Sequence, residues 1–218
     1  MNILDIFIII GLLSGASYGY KNGGIKTLVI LVTTVISFYL AFLFKNPIAN
    51  FLSYNLPFFD FNGLTSLNIV IYQLIAFIIL LVLFTTLFIV IVKIAGGIEK
   101  ILKFTVILSI PSKILGFILG LLESVIIIYV ILLLISGFSI TKDMKLLDDS
   151  KYGNVILKSV PGVNGLNNSI NDINITLKSY DKENKDKFNK EVVSVLLKNN
   201  VIDSSYLNKL RNKGKINY

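Results

Sequence analysis

The chain has 218 residues, of which 54% are hydrophobic and only 16% charged, against roughly 25% charged in an ordinary soluble domain. Residues 1–138 hold 7 Lys/Arg and 4 Asp/Glu, residues 139–218 hold 14 and 9, and the resulting +3 and +5 make up the formal +8. The first part lacks the polar surface of a water-soluble fold. It reads as an integral membrane segment followed by a polar tail.

There is no Cys and no His. Disulfides, thiolate metal sites, Cys nucleophiles and a Ser-His-Asp triad are excluded. The usual base near neutral pH is missing too. No catalytic, cofactor or metal site is expected. The tail's positive charges are interleaved with acids and accompany no nucleic-acid motif, so they read as a solvated basic surface, with no nucleic-acid partner.

The predicted fold class is an all-α membrane protein with four transmembrane helices. Spans are expected at about 3–20, 25–44, 67–92 and 114–140, each near the roughly 20 residues that cross a hydrocarbon core. The first carries Asp5 and no Lys or Arg ahead of its apolar run. That is the wrong sign for a signal peptide, so it is expected to be retained. Asp5 itself suits a helix N-terminus, where the dipole favours an acid. The loop after the second span, with Pro47, Pro57 and several aromatics, reads as an interface segment holding Lys45. Residues 98–108 read as a short interfacial helix, with Ile98, Ile101, Leu102, Thr105 and Leu108 on one face and Glu99, Lys100 and Lys103 on the other. Pro111 would open the fourth span, since Pro is tolerated in a first turn.

Residues 1–140 thus form the membrane domain and 141–218 a polar, partly helical tail. In the tail, residues 162–176 read as Asn/Gly-rich loop. A helix is expected over about 185–199, with Phe188, Val192, Val195 and Leu196 as its apolar stripe. A shorter one follows over 204–211, capped by Asp203 or Ser204.

Two patterns are candidates for function. Gly11, Gly15, Gly19 and Gly23 recur every four residues, as do Gly116, Gly120 and Ser124. Such stripes leave grooves through which helices approach closely in lipid. They would pack on each other or on a second copy, although Gly is in any case common in membrane helices. The second pattern is Glu123. At 1.5 Å per residue it lies about 13 Å inside the start of its span, and Ser14, Thr33, Thr34, Thr85 and Thr86 fall at about 9 to 11 Å on the other helices. This polar layer is either a clasp that fixes helix register or part of a proton or ion path.

Lys21, Lys26, Lys93, Lys100, Lys103 and Lys113 fall in the loops of one side, as topology anchors touching lipid headgroups. The opposite side has Lys45, Lys142, Lys145 and Lys151. Six against four favours both termini outside the cytoplasm.

Several segments resemble the colicin V production protein family. They are Asn2-Ile3-Leu4-Asp5-Ile6, then Gly19-Tyr20-Lys21-Asn22-Gly23, then Pro111-Ser112-Lys113-Ile114-Leu115-Gly116 running on to Gly120. The last is Leu146-Leu147-Asp148-Asp149-Ser150 with Val160-Pro161. Asn22 stands where a second basic residue is common in the family, and nothing after Pro161 is matched. The resemblance implies a multi-pass bacterial cell-membrane protein, non-enzymatic, that serves toxin (bacteriocin) production or export, or envelope maintenance. It supports an extracytoplasmic tail. The expected partners are membrane lipids and either further copies of the chain or other envelope and export proteins. Two alternatives stand beside it: a small channel or transporter using the Glu123 layer, and a membrane anchor or sensor that recruits a partner through its tail.

Overall fold

The computed structural model describes residues 2–94, 109–139, 149–159, 168–169, 172–173, 175–176 and 184–218. Among these residues the regular structure is helical, without strands. The helices are α1 (Ile3–Asn22), α2 (Gly24–Asn55), α3 (Ser66–Ile94), α4 (Ser109–Ser139), α5 (Lys151–Ser159), α6 (Lys185–Lys198) and α7 (Ser204–Asn212). The first four are long and apolar enough to cross a membrane. At 1.5 Å per residue α2 is about 48 Å long and α4 about 46 Å, well over the roughly 30 Å of a hydrocarbon core. The expected interfacial helix at 98–108 lies outside the described residues, with Lys100 and Lys103.

Local chemistry sets the helix ends. The Asn2 backbone N–H donates to the Asp5 carboxylate at 3.2 Å, one half of a capping box at the start of α1. Gly23, at φ 77°, turns the chain from α1 into α2. Pro111 sits in the first turn of α4, where its missing N–H costs nothing. The Asp203 side chain, and not Ser204, caps α7 by accepting the Tyr206 N–H at 2.7 Å. α6 ends with Asn200 in the left-handed region and Val201 N–H on the Leu196 carbonyl.

Two boundaries differ from the sequence expectation. α2 does not stop at 44 but runs on through Pro47 to Asn55. Pro47 is exposed, while Ala41, Lys45, Ala49 and Ser53, four residues apart, are all buried. One proline on the outer face removes a single helical hydrogen bond, and the packed inner face holds the helix on either side of it. Lys45 is therefore a buried helix residue and not a loop anchor. Residues 168–169, 172–173 and 175–176, expected as loop, carry helical turns, with Ile173 fully buried as their apolar anchor.

The chain forms two compact units. Unit 1 comprises Met1–Ala41, Leu81–Leu132 and Lys145–Val160. It holds α1, the first part of α2, the second part of α3, most of α4, and α5. Unit 2 comprises Phe42–Leu80, Leu133–Met144 and Pro161–Tyr218. Its centre is the first half of α3, where Ser66 to Phe77 are buried on nearly every face. From α6, Phe188, Val192, Val193 and Leu196 join the buried core of this unit, and from α7 Tyr206, Leu207 and Leu210. Val195, expected on the stripe of α6, is only half-buried, and Val193 takes its place.

Candidate functional site

Within unit 1 the two glycine stripes meet each other. α1 and α4 run antiparallel, and a side chain at Gly11 would meet Ile128, one at Gly15 would meet Ser124 and Gly120, and one at Gly19 would meet Gly116 and Gly120. At Gly19 and Gly116 the neighbouring atom is the other helix's backbone carbonyl. Only glycine lets the two backbones come this close, and the gain is van der Waals contact that lipid does not supply. The C-cap Gly23 sits against Gly116 at the end of the seam. There the Gly24 N–H donates to the Ser112 hydroxyl at 3.0 Å, and the Thr27 hydroxyl donates to the Gly23 carbonyl at 2.8 Å.

Glu123 is one residue from this seam and is buried. The Thr34 hydroxyl donates a hydrogen bond to its carboxyl group. The rest of the expected polar layer divides. Thr33, Thr34 and Thr85 line a cleft of about 250 Å³ between α2 and α3, with Tyr18 and Lys26 also on its wall. Ser14 and Thr86 turn outward. Gly15 faces α4, so Ser14 lies about 100° round the helix from that contact. Its hydroxyl donates back to the Ile10 carbonyl at 2.7 Å. Equal depth along four helices is therefore not one cluster: the described contact to Glu123 comes from Thr34. Of the expected anchors, Lys21, Lys93 and Lys113 are exposed and Lys26 is half-buried. The Lys113 ammonium lies 5.8 Å from the Tyr20 ring centre.

Asp5 does more than cap α1. The Ser150 hydroxyl and the Tyr152 N–H donate to one of its carboxylate oxygens at 2.7 and 3.1 Å. The same Ser150 oxygen accepts the Gly153 N–H at 2.9 Å, capping α5. One buried carboxylate thus sits at the N-termini of two helices, where both dipoles favour negative charge. The hint in the sequence was that Asn2-x-x-Asp5 and Asp149-Ser150 both carried the family resemblance. Nothing in either segment said that they touch.

Unit 2 holds polar contacts that sequence reading missed. Lys45 is 3% exposed and Gln73 1%. The Lys45 ammonium donates to Gln73 Oε1 at 3.2 Å and to Asn46 Oδ1 at 2.9 Å, and lies 5.1 Å from the Phe42 ring centre. The Gln73 amide N–H group is buried without a hydrogen-bond partner among the described residues. Asn189 of α6 ties the tail to the start of α3. Its carbonyl accepts from the Ser66 N–H and hydroxyl at 3.1 and 2.8 Å, and its amide donates to the Gly63 carbonyl at 3.0 Å. The Tyr206 hydroxyl donates to Ser53 Oγ at 2.8 Å. Burial raises the Tyr206 phenol well above its ordinary range, and burial pushes Tyr218 up to about 12. The small-and-polar stripe Ala41, Lys45, Ala49, Ser53 was the available sign of a buried face.

Four apolar helices of spanning length, two of them in backbone contact through facing glycines, define a multi-pass helical membrane protein. The model of the family described as Colicin V production protein matches residues 4–161. The chain belongs to that family. No curated protein and no solved structure gives a significant match. The matched stretch contains the glycine seam, Glu123, and both sides of the Asp5 contact.

Proposed function

We propose that the chain is a non-enzymatic protein of the bacterial cell membrane that supports toxin (bacteriocin) production or export, or envelope maintenance, by working through partner proteins. The carrying observation is the family match over 4–161, which takes in all four spanning helices. The absence of any Cys or His favours a non-catalytic role. Partners are other envelope or export proteins or further copies of the chain. Both termini are assigned to the outside. Lys45 lies inside α2, so six lysines of one side face only Lys142, Lys145 and Lys151 on the other. The test is deletion in a bacteriocin-secreting host with the chain restored on a plasmid. Secreted toxin should fall and recover. Unchanged secretion, with unchanged resistance to detergent stress, removes the reading.

A second reading, a small channel or transporter, is favoured by the Thr34–Glu123 hydrogen bond beside a cleft. Glu123→Gln keeps a hydrogen-bonding group there. A clasp should survive this change with assembly and function intact. Loss of function at normal expression, together with loss of ion flux in proteoliposomes, would favour the path over the clasp. The tail-recruitment reading has less support, because α6 and α7 bury their apolar faces within unit 2.

A further inference from the structure

Among the described residues, the cleft in unit 1 is an unfilled helix–helix seam. α2 turns Lys26, Val29, Ile30 and Thr33 toward it, and α3 turns Thr85, Ile89 and Val92. These are spacings of i, i+3, i+4, i+7 and of i, i+4, i+7, the pattern by which a helix face packs on a neighbour. Here two such faces border a gap. Between Lys26 and Thr34 it extends about 12 Å along the helix axis. Its volume of about 250 Å³ falls short of the roughly 300 to 1,000 Å³ of pockets that enclose a compact small molecule. It suits one extended chain.

The charge at one end selects what that chain belongs to. The Lys26 ammonium donates to Asn22 Oδ1 at 2.7 Å, which holds it at the cleft and leaves two of its three N–H groups for another acceptor. Lys21 and Lys93 lie in the last turns of α1 and α3, and Lys113 lies near the start of α4. Among the described residues the nearest carboxylate along those spans is Glu123, ten residues from Lys113, or about 15 Å.

We propose that this seam binds one acyl chain of an anionic phospholipid, whose headgroup phosphate is held by Lys26. The lipid completes the packing between α2 and α3 and would be retained when the bulk membrane is removed. The test uses the full chain purified in detergent and exposed to mixed micelles of phosphatidylglycerol or phosphatidylcholine, with bound lipid counted by native mass spectrometry. Phosphatidylglycerol should be retained about fivefold more than phosphatidylcholine, corresponding to the roughly 1 kcal/mol of one lysine near an anionic surface. Lys26→Gln should abolish that preference, and Lys198→Gln, at an exposed lysine of α6, should preserve it. Ile89→Trp, which fills the cleft, should reduce retention of both lipids at unchanged helicity. Equal retention of the two lipids by the parent chain overturns the proposal. So does a preference that survives Lys26→Gln, or retention that survives Ile89→Trp. Capture of a second copy by a cross-linker placed at residue 89 overturns it in favour of a protein occupant.

Discussion

Asp5 and Lys45 are both buried charges, and they are handled in opposite ways. Asp5 meets donors at the ends of two helices, so its charge is matched by oriented N–H groups and needs no cation. Removing it should free α5. The chain contains no cysteine, so a single Leu157→Cys probe reports on this directly. The buried thiol should resist maleimide in the parent background and react in Asp5→Ala, while Asp5→Asn should lie between them. Equal labelling in all three would show that α5 is held by its apolar face alone. Lys45 has amide oxygens and a ring around it but no carboxylate among the described residues. An isolated buried ammonium gains little stability from such contacts, and an apolar side chain of similar length fits as well. Lys45→Met should melt within about 1 kcal/mol of the parent, or above it. If it does and function still falls, the ammonium is retained for activity. Neither role was legible from residue type. An acid near a helix start has an ordinary explanation in the helix dipole, and a lysine beside Pro47 looks like a loop residue until its i±4 neighbours are seen to be buried.

The spans were legible as elements because apolar length alone identifies them, and the glycine spacing marked the faces by which two of them pack. What periodicity could not give was pairing. Depth along the helices placed five hydroxyls level with Glu123, but rotation about each axis decides contact, and only Thr34 faces it among the described contacts. Rotation also separates the glycines energetically. At Gly11 a new methyl group meets the flexible end of Ile128 at 3.1 Å, whereas at Gly19 it meets the Gly116 carbonyl. Gly11→Ala should therefore change stability by no more than about 1 kcal/mol, since the helix-propensity gain of Ala offsets the tight contact. Gly19→Ala should cost about 3 kcal/mol or more, because backbone cannot step aside as a side chain can. Thermal melting in detergent checks both. Similar losses at the two sites would mean that α1 can shift along α4.

At the scale of the whole molecule, the tail is the part that composition described least well. Its charge and many Asn suggested a solvated appendage, yet Asn189, Tyr206 and Tyr218 make buried or half-buried contacts within unit 2. Asn189→Ala leaves the Ser66 N–H buried without its acceptor and should cost about 1 to 3 kcal/mol. Protease resistance of the tail should fall in parallel. Unit 2 should also loosen in alkali. A tyrosine in the unfolded chain ionises near pH 10, whereas Tyr206 and Tyr218 hold their protons to higher pH. The unfolded state then loses protons first as pH rises, so stability is level below about pH 10 and declines from there through the folded values. Tyrosinate absorbance and helical signal recorded together should change in one step for this unit. Ionisation of all tyrosines near pH 10 with no loss of structure would contradict the burial.

The enclosure of Ser66–Phe77 has a consequence in time. On the ribosome this stretch is complete 108 residues before Lys185, the first residue of α6. At roughly 5 to 20 residues per second that is a delay of about 5 to 20 s. For that interval, half of α3 exists without the helices that later enclose it. A nascent chain arrested before Lys185 should therefore be the form most prone to capture by membrane chaperones and quality-control proteases.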